Sequence, residues 1–367
     1  MVILLLVTLL IAVIMYAYLR QPQFGQLPTG TELEKLKRSS FYHEGRFRNL
    51  AITPPLSNGS HSFVILAKFL FGKDVDAIPN VPLPSRKTDL HLLDINQTVV
   101  VWMGHSSYFM QVNGKRILVD PVFSGSAAPL PGLNKAFHGS NIYTAMDIPT
   151  IDYLLISHDH WDHLDYPTIL QLKEKINHVI APLGVGNYFA QWGFDKQKIR
   201  EGDWFSTFQL EPHLALHILP ARHFSGRLFK RNKTLWASFA LITPQHKLYI
   251  SGDSGYGPHF KEIGERFGPF DLAILECGQY NENWRYIHMM PEETALAGQD
   301  LNAVAIMPSH NSKFKLSHHT WNDPLKRLVV ASEDKAYRLL TPMIGQAVNV
   351  DDVTQSFPHW WETTSSR

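Results

Sequence analysis

Cysteine is almost missing from this chain of 367 residues, because Cys277 is its single cysteine. One cysteine excludes an internal disulfide, a zinc finger built on thiolates and a Cys-x-x-Cys redox pair. The sequence also lacks the Gly-x-Ser-x-Gly elbow, the His-Glu-x-x-His motif and the P-loop. These absences exclude the most easily identified classes of serine hydrolase, metalloprotease and nucleotide-binding protein.

A strong charge bias is absent as well. The chain has 34 Lys and Arg against 33 Asp and Glu, so its formal net charge is +1. Nucleic-acid-binding domains usually carry a clear basic excess, and we therefore expect no nucleic-acid partner. Hydrophobic residues make up 44% of the chain and charged residues 18%, a balance that is typical of a folded protein.

Histidine, in contrast, is abundant, with 19 residues in the chain. Histidine is the commonest metal ligand and the usual proton-transfer residue near neutral pH. The number alone does not distinguish scattered histidines from gathered ones. Their positions relative to predicted strands therefore decide what they indicate.

The N-terminal segment Val2–Leu19 is an apolar run, broken only by the polar groups of Thr8, Tyr16 and Tyr18. A helix of this length spans about 27 Å, close to the hydrocarbon thickness of a bilayer. The run lacks the basic start and the small-residue cleavage site of a signal peptide. The sequence therefore predicts an uncleaved transmembrane anchor over residues 1–20, with a cleaved signal peptide as the alternative.

Basic residues follow this run but do not precede it, namely Arg20, Lys35, Lys37 and Arg38. The positive-inside tendency then assigns the rest of the chain to the cytoplasmic side. We accordingly expect a single-pass membrane protein with a cytoplasmic main domain. The sequence does not specify an oligomeric state.

Composition and patterning divide the remaining chain into three parts. Residues 21–96 are rich in Pro, Gly and Ser, and we expect them to form an arm that packs on the main domain. Short helices are predicted in this arm at Thr31–Lys37 and Phe63–Phe71. The main domain is expected over residues 97–345, followed by an exposed C-terminal tail over 346–367.

The main domain combines β-rich and helical runs. Nine strands are predicted, at Thr98–Trp102, Tyr108–Val112, Arg116–Asp120, Tyr153–Ile156, Leu214–Leu219, Trp236–Thr243, Lys247–Ser251, Asp271–Leu275 and Ala303–Met307. Four helices are predicted, at Pro167–Ile176, Pro258–Phe267, Pro291–Leu301 and Asn322–Ala336. Asn113-Gly114 is a strong two-residue hairpin signal. Hairpins followed by alternating strands and helices indicate an α/β protein with αββα layering.

A dense group of polar residues follows the predicted strand Tyr153–Ile156. The segment reads SHDHWDHLD and contains His158, His160, Asp162 and His163. Nitrogen and oxygen ligands on a short loop can converge on a small volume, and their density suits two metal ions a few ångströms apart. A polar surface loop is the alternative, but a His-x-His-x-Asp-His run after a buried strand favours a metal site.

Three further candidates lie just past other predicted strands: His223 in PARHF, Asp253 in SGDSGY and His310 in MPSHNSKF. In α/β proteins, ligands bind at the ends of strands, where side chains from several loops meet. Each residue alone is an uncertain ligand. Together with the dense group they complete a set that can hold two metals.

These motifs resemble the metallo-β-lactamase superfamily, and most closely its branch of N-acylphosphatidylethanolamine-hydrolysing phospholipase D and bacterial relatives. The resemblance runs from about Arg20 to about Leu328. Besides the histidine motifs it includes PQFG (Pro22–Gly25), WMGHSS (Trp102–Ser107), ILVDPVFS (Ile117–Ser124), EIGERFGPFD (Glu262–Asp271) and IHMMPEE (Ile287–Glu293). It implies a metallo-β-lactamase sandwich whose catalytic domain is the 97–345 segment, and bacterial relatives often begin with a membrane anchor.

The resemblance implies two Zn²⁺ ions and seven ligands. The first zinc takes His158, His160 and His223, and the second takes Asp162, His163 and His310. Asp253 bridges the two ions and belongs to the catalytic centre. Histidine and carboxylate ligands also suit iron and manganese.

Three supporting residues follow from the same resemblance. Asp120 is expected to orient a ligand histidine, with a turn-capping role before Pro121 as the alternative. His105 is expected to line the site and contact substrate without ligating the metal. His288 is expected at the pocket wall, where it donates to a phosphate oxygen or protonates the leaving group. A structural histidine next to a helix is the alternative for His288.

Two segments depart from the mammalian-type phospholipase. After the last ligand histidine that enzyme has Trp-Gly-Thr-Phe, whereas this chain has Asn311-Ser312-Lys313-Phe314. Before His288 the sequence contains Glu276-Cys277-Gly278, which also differs. Both segments flank the expected pocket, so the resemblance predicts the metal ligands more strictly than the substrate.

The sequence thus predicts a membrane-anchored dinuclear zinc hydrolase that cleaves a phosphodiester. The expected reaction is phospholipase D-type hydrolysis of N-acyl-phosphatidylethanolamine, and the expected partners are a phospholipid or other small-molecule substrate and the membrane. Two alternatives remain. One is a metal-dependent lactonase similar to ascorbate-6-phosphate lactonase, and the other is a non-catalytic, membrane-tethered metal-binding protein.

Overall fold

The computed structural model describes residues 1–57, 76–130, 132–227 and 230–362. The described α-helices are α1 (Val2–Leu19), α2 (Gly30–Lys37), α3 (Tyr166–Leu172), α4 (Gly186–Gln191), α5 (His259–Phe267), α6 (Pro291–Asp300) and α7 (Asp323–Ser332). The predicted helix at Phe63–Phe71 lies outside the described residues.

The described strands form a small hairpin and two larger sheets. In chain order they are β1 (Tyr42–His43), β2 (Arg46–Phe47), β3 (Val99–Trp102), β4 (Tyr108–Val112), β5 (Lys115–Val119), β6 (Ile151–Leu155), β7 (Ile176–Pro182), β8 (Ile199–Gly202), β9 (Thr207–Glu211), β10 (Leu214–Leu219), β11 (Ser238–Ile242), β12 (Lys247–Ile250), β13 (Leu272–Glu276), β14 (Ala305–Ser309), β15 (Arg338–Leu339) and β16 (Ala347–Asn349). One sheet has the order β16-β3-β4-β5-β6-β7-β8, and the other β15-β14-β13-β12-β11-β10-β9. All nine predicted strands are therefore confirmed, with ends shifted by at most two residues.

Alternating burial explains why the two sheets face each other. In β4, Tyr108 and Met110 join the core between the sheets, whereas Phe109 joins the core on the outer face. In β13, Ile274 points to the same inner core and Leu275 to the outer face. Successive side chains of a strand point to opposite faces, so strands that are apolar at every position must be covered on both sides.

Helices provide those outer covers. Side chains of α3 and α4 pack on the outer face of the first sheet, and side chains of α5, α6 and α7 pack on the outer face of the second. The predicted αββα layering is therefore confirmed. The hairpin prediction is confirmed too, because Asn113 and Gly114 both have positive φ, at 50° and 71°, as a type I′ turn requires.

Helix α1 differs from the other described helices because none of its residues is buried and its mean hydropathy is 2.8. One N-terminal helix of this chain is thus apolar enough to span a membrane. Its C-terminal end contacts the main domain, since the Tyr18 hydroxyl donates to the carbonyl of Pro129 at 2.5 Å.

The chain joins the main domain within a few residues of α1. The indole of Trp192 donates to the carbonyl of Pro22 at 2.9 Å, and the Phe24 ring packs edge-on against Trp161 at 5.2 Å. Gly25 has φ of +61°, and a Cβ atom there would lie 2.1 Å from the Tyr188 ring. Glycine is therefore required where the arm turns along the domain.

The predicted exposure of the C-terminal tail is wrong for part of its described residues. Ala347–Asn349 forms β16, which pairs antiparallel with β3. Beyond it, Trp360 and Trp361 are buried in the core between the sheets. The apolar surface of two tryptophans makes this packing favourable, and Val350 and Phe357 between them and β16 pack against the same core.

We predict that Trp361→Ala lowers the free energy of unfolding by about 3 kcal/mol or more, because it empties a large buried site. Urea denaturation of the full chain in detergent micelles, followed by circular dichroism, measures this change. The control is Val353→Ala, since Val353 is 68% exposed and its truncation should shift stability by less than about 0.5 kcal/mol. Equal denaturation midpoints for the two variants would contradict the burial of this segment.

Candidate metal centre

The candidate site lies where the carboxyl ends of strands from both sheets meet. β5 and β6 run parallel in one sheet, and β12, β13 and β14 run parallel in the other. Polar side chains follow or end these strands: Asp120 after β5, the SHDHWDHLD segment after β6, Asp253 after β12, Glu276 at the end of β13 and His310 after β14. His223 comes from the loop after β10.

Backbone conformation helps to bring these side chains together. Asp120 and His310 have φ of 40° and 61°, in the left-handed region that residues other than glycine adopt less often. Gly252, just before Asp253, has φ of 57°, and a Cβ atom there would lie 2.7 Å from the carbonyl oxygen of Ala237. The turn that presents Asp253 therefore requires glycine.

The first group of candidate ligands contains His158, His160, His223 and Asp253, whose ligand atoms all lie within 4.8 Å of one another. His160 Nδ1 is 2.8 Å from His158 Nε2 and 3.3 Å from His223 Nε2. Asp253 Oδ2 lies 3.8 Å from His158 Nε2 and 3.6 Å from His223 Nε2. The three histidines predicted for the first metal are therefore brought together.

The second group contains Asp162, His163 and His310, together with His105. Asp162 Oδ2 is 3.5 Å from His163 Nε2 and 3.2 Å from His310 Nε2. It is also 2.8 Å from His105 Nε2. The structure thus brings the predicted second set together and places His105 among its members.

Asp253 connects the two groups. Its Oδ2 atom lies 3.2 Å from His163 Nε2 and 3.4 Å from His310 Nε2, in addition to its contacts in the first group. One carboxylate oxygen is therefore within 3.8 Å of four imidazole nitrogens. A ligand shared by two metal ions would need contacts of this kind with both groups.

The residues fit a pair of metal ions by two physical criteria. Ligand atoms around a tetrahedral zinc at about 2.1 Å lie about 3.4 Å apart, which matches the 3.2–3.8 Å separations between Asp253 Oδ2 and the imidazole nitrogens. Within the described residues, His163 Nε2 and Asp253 Oδ1 are buried and have no hydrogen-bond partner. Buried polar atoms of this kind are costly unless a cation or water meets them.

The sequence model of the beta-lactamase superfamily domain matches residues 115–311, a range that contains all seven candidate ligands. The chain belongs to the metallo-β-lactamase superfamily. It is also 34% identical over 330 residues to the uncharacterized protein Rv0906 of Mycobacterium tuberculosis, a match that covers 89% of this chain and 88% of that protein.

Two further relatives are informative. The mitochondrial N-acyl-phosphatidylethanolamine-hydrolyzing phospholipase D of Saccharomyces cerevisiae is 34% identical over 247 residues, covering 63% of this chain and 51% of that protein. The outer membrane protein RomA of Klebsiella pneumoniae is 68% identical over 97 residues, covering 26% of this chain and 74% of that protein. The chain is therefore a metal-dependent hydrolase of the metallo-β-lactamase superfamily, related to the phospholipase D of Saccharomyces cerevisiae.

Electrostatics in this metallo-β-lactamase site favours neutral imidazoles in the first group. Burial holds the pKa of His158 and of His223 well below the usual value, and it lowers the pKa of His160 to about 4. Neutral imidazole is the form that binds a metal ion. These three side chains are thus prepared as nitrogen ligands at neutral pH.

Around the second group, the carboxylates of Asp162 and of the neighbouring Asp253 determine the electrostatics. Burial alone would raise the pKa of Asp162 and Asp253, but the neighbouring histidines, His163 foremost, hold both well below the usual range. In turn, the carboxylates overcome burial and raise the pKa of His163 and His310. Two buried carboxylates therefore require positive charge, which metal ions supply when they replace the histidine protons.

Asp120 contacts one of the candidate ligand histidines. His163 Nδ1 lies 2.8 Å from Asp120 Oδ2, and the backbone N–H of Ser157 donates to Asp120 Oδ1 at 2.8 Å. Asp120 is fully buried, and its carboxylate holds the His163 ring through the Nδ1 atom. This arrangement leaves His163 Nε2 to face the centre.

His105 and His288 both adjoin the centre, in different ways. His105 is fully buried and contacts Asp162, and burial lowers its pKa to about 3. His288 is partly exposed, and its ring lies 5.0 Å from that of His223 and 5.1 Å from that of His310. The roles of both residues toward substrate remain predictions.

Glu276 is a site residue that the sequence analysis missed. Its Oε1 contacts His288 Nδ1 and lies 3.2 Å from His310 Nδ1, so one carboxyl group holds two histidines. Burial is the main cause that raises the pKa of Glu276 to about 8. The sequence offered one signal for Glu276. It is the carboxylate at the end of the apolar run Leu272–Glu276, which ends at the same sheet edge as the strands before Asp253 and His310.

The segment Asn311–Phe314, which differs from the mammalian-type phospholipase, connects the two sheets inside the protein. Lys313 is fully buried, and its Nζ donates to the carbonyls of Met103 at 3.1 Å and Val122 at 2.8 Å. Burial lowers the pKa of this lysine to about 7. His310 N–H also donates to the carbonyl of His105 at 3.0 Å, so this loop is tied to loops of the other sheet.

A buried arginine secures the first ligand loop. The Arg227 guanidinium donates to the carbonyls of Asp159 at 2.8 Å and Gln23 at 2.7 Å, and it lies 4.1 Å above the Trp161 ring. The carboxylate of Asp159 accepts from the backbone N–H of Gly226 at 2.6 Å. The loop that carries His158, His160, Asp162 and His163 is therefore fixed to both the arm and the second sheet.

We predict that the metal-loaded full chain retains two transition-metal ions after desalting and that Asp253→Ala retains at most one. The reason is that Asp253 Oδ2 contacts members of both ligand groups. Elemental analysis by mass spectrometry gives the ratio of metal to protein. The exposed His91 provides the control variant His91→Ala, which should keep two ions. Two ions in Asp253→Ala would disprove the shared role.

We further predict that Asp120→Ala weakens metal affinity about 10- to 100-fold, because His163 loses the acceptor that fixes its ring. Competition with a chromogenic chelator measures the affinity. Asp334→Ala, at an exposed aspartate that does not contact the described metal centre, should leave the affinity unchanged. Circular dichroism of both variants checks that folding is preserved. An unchanged affinity in Asp120→Ala would favour the turn-capping role.

Proposed function

We propose that this chain is a dinuclear zinc phosphodiesterase that performs phospholipase D-type hydrolysis of N-acyl-phosphatidylethanolamine. The observation that carries the proposal is the pair of buried ligand groups joined by Asp253, in a chain that is 34% identical over 247 residues to a phospholipase D of this name. Zinc is proposed because tetrahedral sites of histidine and carboxylate suit it.

Two bound metal ions would activate water at neutral pH and stabilise negative charge that develops on the phosphate. The protein supplies the geometry for this chemistry. Asp253 keeps the two ligand groups at a fixed separation, and Asp120 keeps His163 oriented. Glu276 contacts Nδ1 of His288, which leaves Nε2 as the ring nitrogen available to substrate.

His288 is proposed to contact a phosphate oxygen or to protonate the leaving alcohol. In this hydrolysis the bond between phosphorus and the ethanolamine oxygen breaks, and a water oxygen joins phosphorus. The departing oxygen takes up a proton, and His288 is partly exposed beside the ligands, where it can provide one. General acid catalysis of this kind contributes about 10²–10⁴-fold in rate.

We also propose that α1 anchors the chain in a membrane as a single span, with the hydrolase domain on the cytoplasmic side. The support is an apolar helix of 18 residues without buried positions, followed by basic residues. An anchor beside the domain suits a lipid substrate, because it holds the site at the bilayer surface. Its contact with Pro129 keeps the helix close to the domain.

The two other candidate functions have less support. A lactone or another acyl substrate could use the same metal centre, but none of the described contacts selects it over a phosphodiester. A non-catalytic metal-binding protein would be expected to lose one or more ligands, whereas all seven candidates adjoin one another here. Both functions are outcomes of the following test.

We predict that the purified, metal-loaded chain converts N-acyl-phosphatidylethanolamine in micelles to phosphatidic acid and N-acylethanolamine. Mass spectrometry identifies the products. Asp253→Ala should lower kcat by at least about 10³-fold and His288→Gln by about 10²-fold, because they affect the metal centre and the proton donor respectively. Asp334→Ala should match the wild type.

Three results would contradict this proposal. Turnover of a lactone with none of any phospholipid would support a lactonase. Release of diacylglycerol in place of phosphatidic acid would show cleavage of the other phosphate ester bond. Full activity in Asp253→Ala would mean that the assigned centre is not the catalyst.

A further inference from the structure

A cavity of about 540 Å³ opens beside the metal centre and includes the ligand His223 in its wall. The N-terminal arm forms one side of it with an apolar segment, Leu50–Pro55. The other side carries the Phe224 ring and the side chain of Ile287. This cavity directly adjoins a predicted metal ligand, so a substrate can extend into it.

Three arginines line the same cavity: Arg46, Arg48 and Arg231. They come from two chain segments that are hydrogen-bonded to each other. The backbone N–H of Phe47 donates to the carbonyl of Asn232 at 2.9 Å, and Asn232 Nδ2 donates back to the carbonyl of Phe47 at 3.4 Å. Because Phe47 pairs with Asn232, the backbone of Arg46 and Arg48 is held close to the backbone of Arg231.

Negative charge is scarce around these arginines. The residues that line the cavity within the described chain include no Asp or Glu. Arg48 pairs with Glu44, whose side chain is 80% exposed. No ion pair is found for Arg46 or Arg231 with any carboxylate of the described residues. A cavity wall that carries three arginines and no carboxylate has a positive potential, which favours an anionic ligand.

Arg231 is connected to the metal centre through one aromatic ring. Its guanidinium lies 4.0 Å above the ring of Phe224. That ring in turn lies 4.4 Å from the ring of His160 and 4.7 Å from the ring of His223. The positive charge is therefore separated from two ligand histidines by the thickness of a single side chain.

Hydrogen bonds attach the apolar side of the cavity to the loop that carries His223. Asn49 Nδ2 donates to the carbonyl of His223 at 2.8 Å, and Asn49 Oδ1 accepts from the backbone N–H of His223 at 3.1 Å. Arg222 donates to the carbonyl of Ile52 at 2.7 Å and to the hydroxyl of Thr53 at 3.1 Å. The arm and the ligand loop thus form one preformed pocket.

We propose that Arg46, Arg48 and Arg231 form a subsite for a second negative charge on the substrate, beyond the phosphodiester at the metal centre. This inference rests on the proposed phospholipase function. The preferred substrate is then a phospholipid whose headgroup carries an additional acidic group, with its apolar part along Leu50–Pro55. A planar guanidinium fork matches the oxygens of a carboxylate or phosphate, which a lysine would not do equally well.

The test compares two lipids that differ by one carboxylate, N-acyl-phosphatidylserine and N-acyl-phosphatidylethanolamine with identical acyl chains, in uncharged detergent micelles. We expect kcat/KM to be about tenfold higher for the serine lipid with the metal-loaded full chain. In the double variant Arg46→Gln/Arg231→Gln the ratio should fall to about one. High salt should reduce the ratio in the wild type, because exposed charges are screened.

The matched control is Arg38→Gln, which removes an exposed arginine of the same arm outside the cavity and should keep the tenfold ratio. A second measurement needs no turnover: calorimetric binding of dihexanoyl-phosphatidylserine and dihexanoyl-phosphatidylethanolamine. Absence of turnover with a retained, arginine-dependent binding preference would reject the proposed function and support the subsite. Equal kcat/KM and equal binding of the two headgroups, or a preference that survives the double variant, would overturn the subsite.

Discussion

The shared carboxylate of Asp253 is the contact on which the site depends. One of its oxygens lies within 3.8 Å of four imidazole nitrogens that belong to two different groups. An isolated buried carboxylate is strongly disfavoured, so this arrangement is stable only with compensating positive charge. The left-handed turn at Gly252, the orientation of His163 by Asp120 and the double contact of Glu276 all serve to keep that cluster in place.

The two-sheet architecture explains how residues far apart in the chain meet at this carboxylate. Each sheet delivers loops from the carboxyl ends of parallel strands, and the two edges face each other. Contacts across this boundary tie the layers together: Lys313 reaches carbonyls of Met103 and Val122, and Arg227 reaches the ligand loop after β6. The metal site and the interface between the layers are therefore one structural unit. A substitution that disrupts the packing between the layers should also disturb the ligand geometry.

The layers and the nine strands could be predicted because each depends on local sequence, and the family resemblance supplied the division of the ligands between two metals. Apolar runs mark strands, and a polar residue just after a run marks the sheet edge, as at His223 or Asp253. The role of Glu276 was not predicted, because this residue ends a run that otherwise resembles an ordinary buried strand. Only the fold shows that this end faces His288 and His310. The strand β16 and the burial of Trp361 were not predicted for a related reason. Their pairing with β3 and the inner core joins the last part of the chain to the first strand of the main domain, which no local pattern indicates.

The short connection between α1 and the domain has a consequence for how substrate is found. Only Arg20 and Gln21 separate the helix from the Pro22–Phe24 turn, whose residues already contact Trp192 and Trp161. With α1 in a bilayer, the domain is docked at a constant height and cannot swing on a flexible tether. For the proposed lipid substrate, encounter would then be a search in two dimensions, governed by lateral diffusion and by the composition of the leaflet beneath the domain.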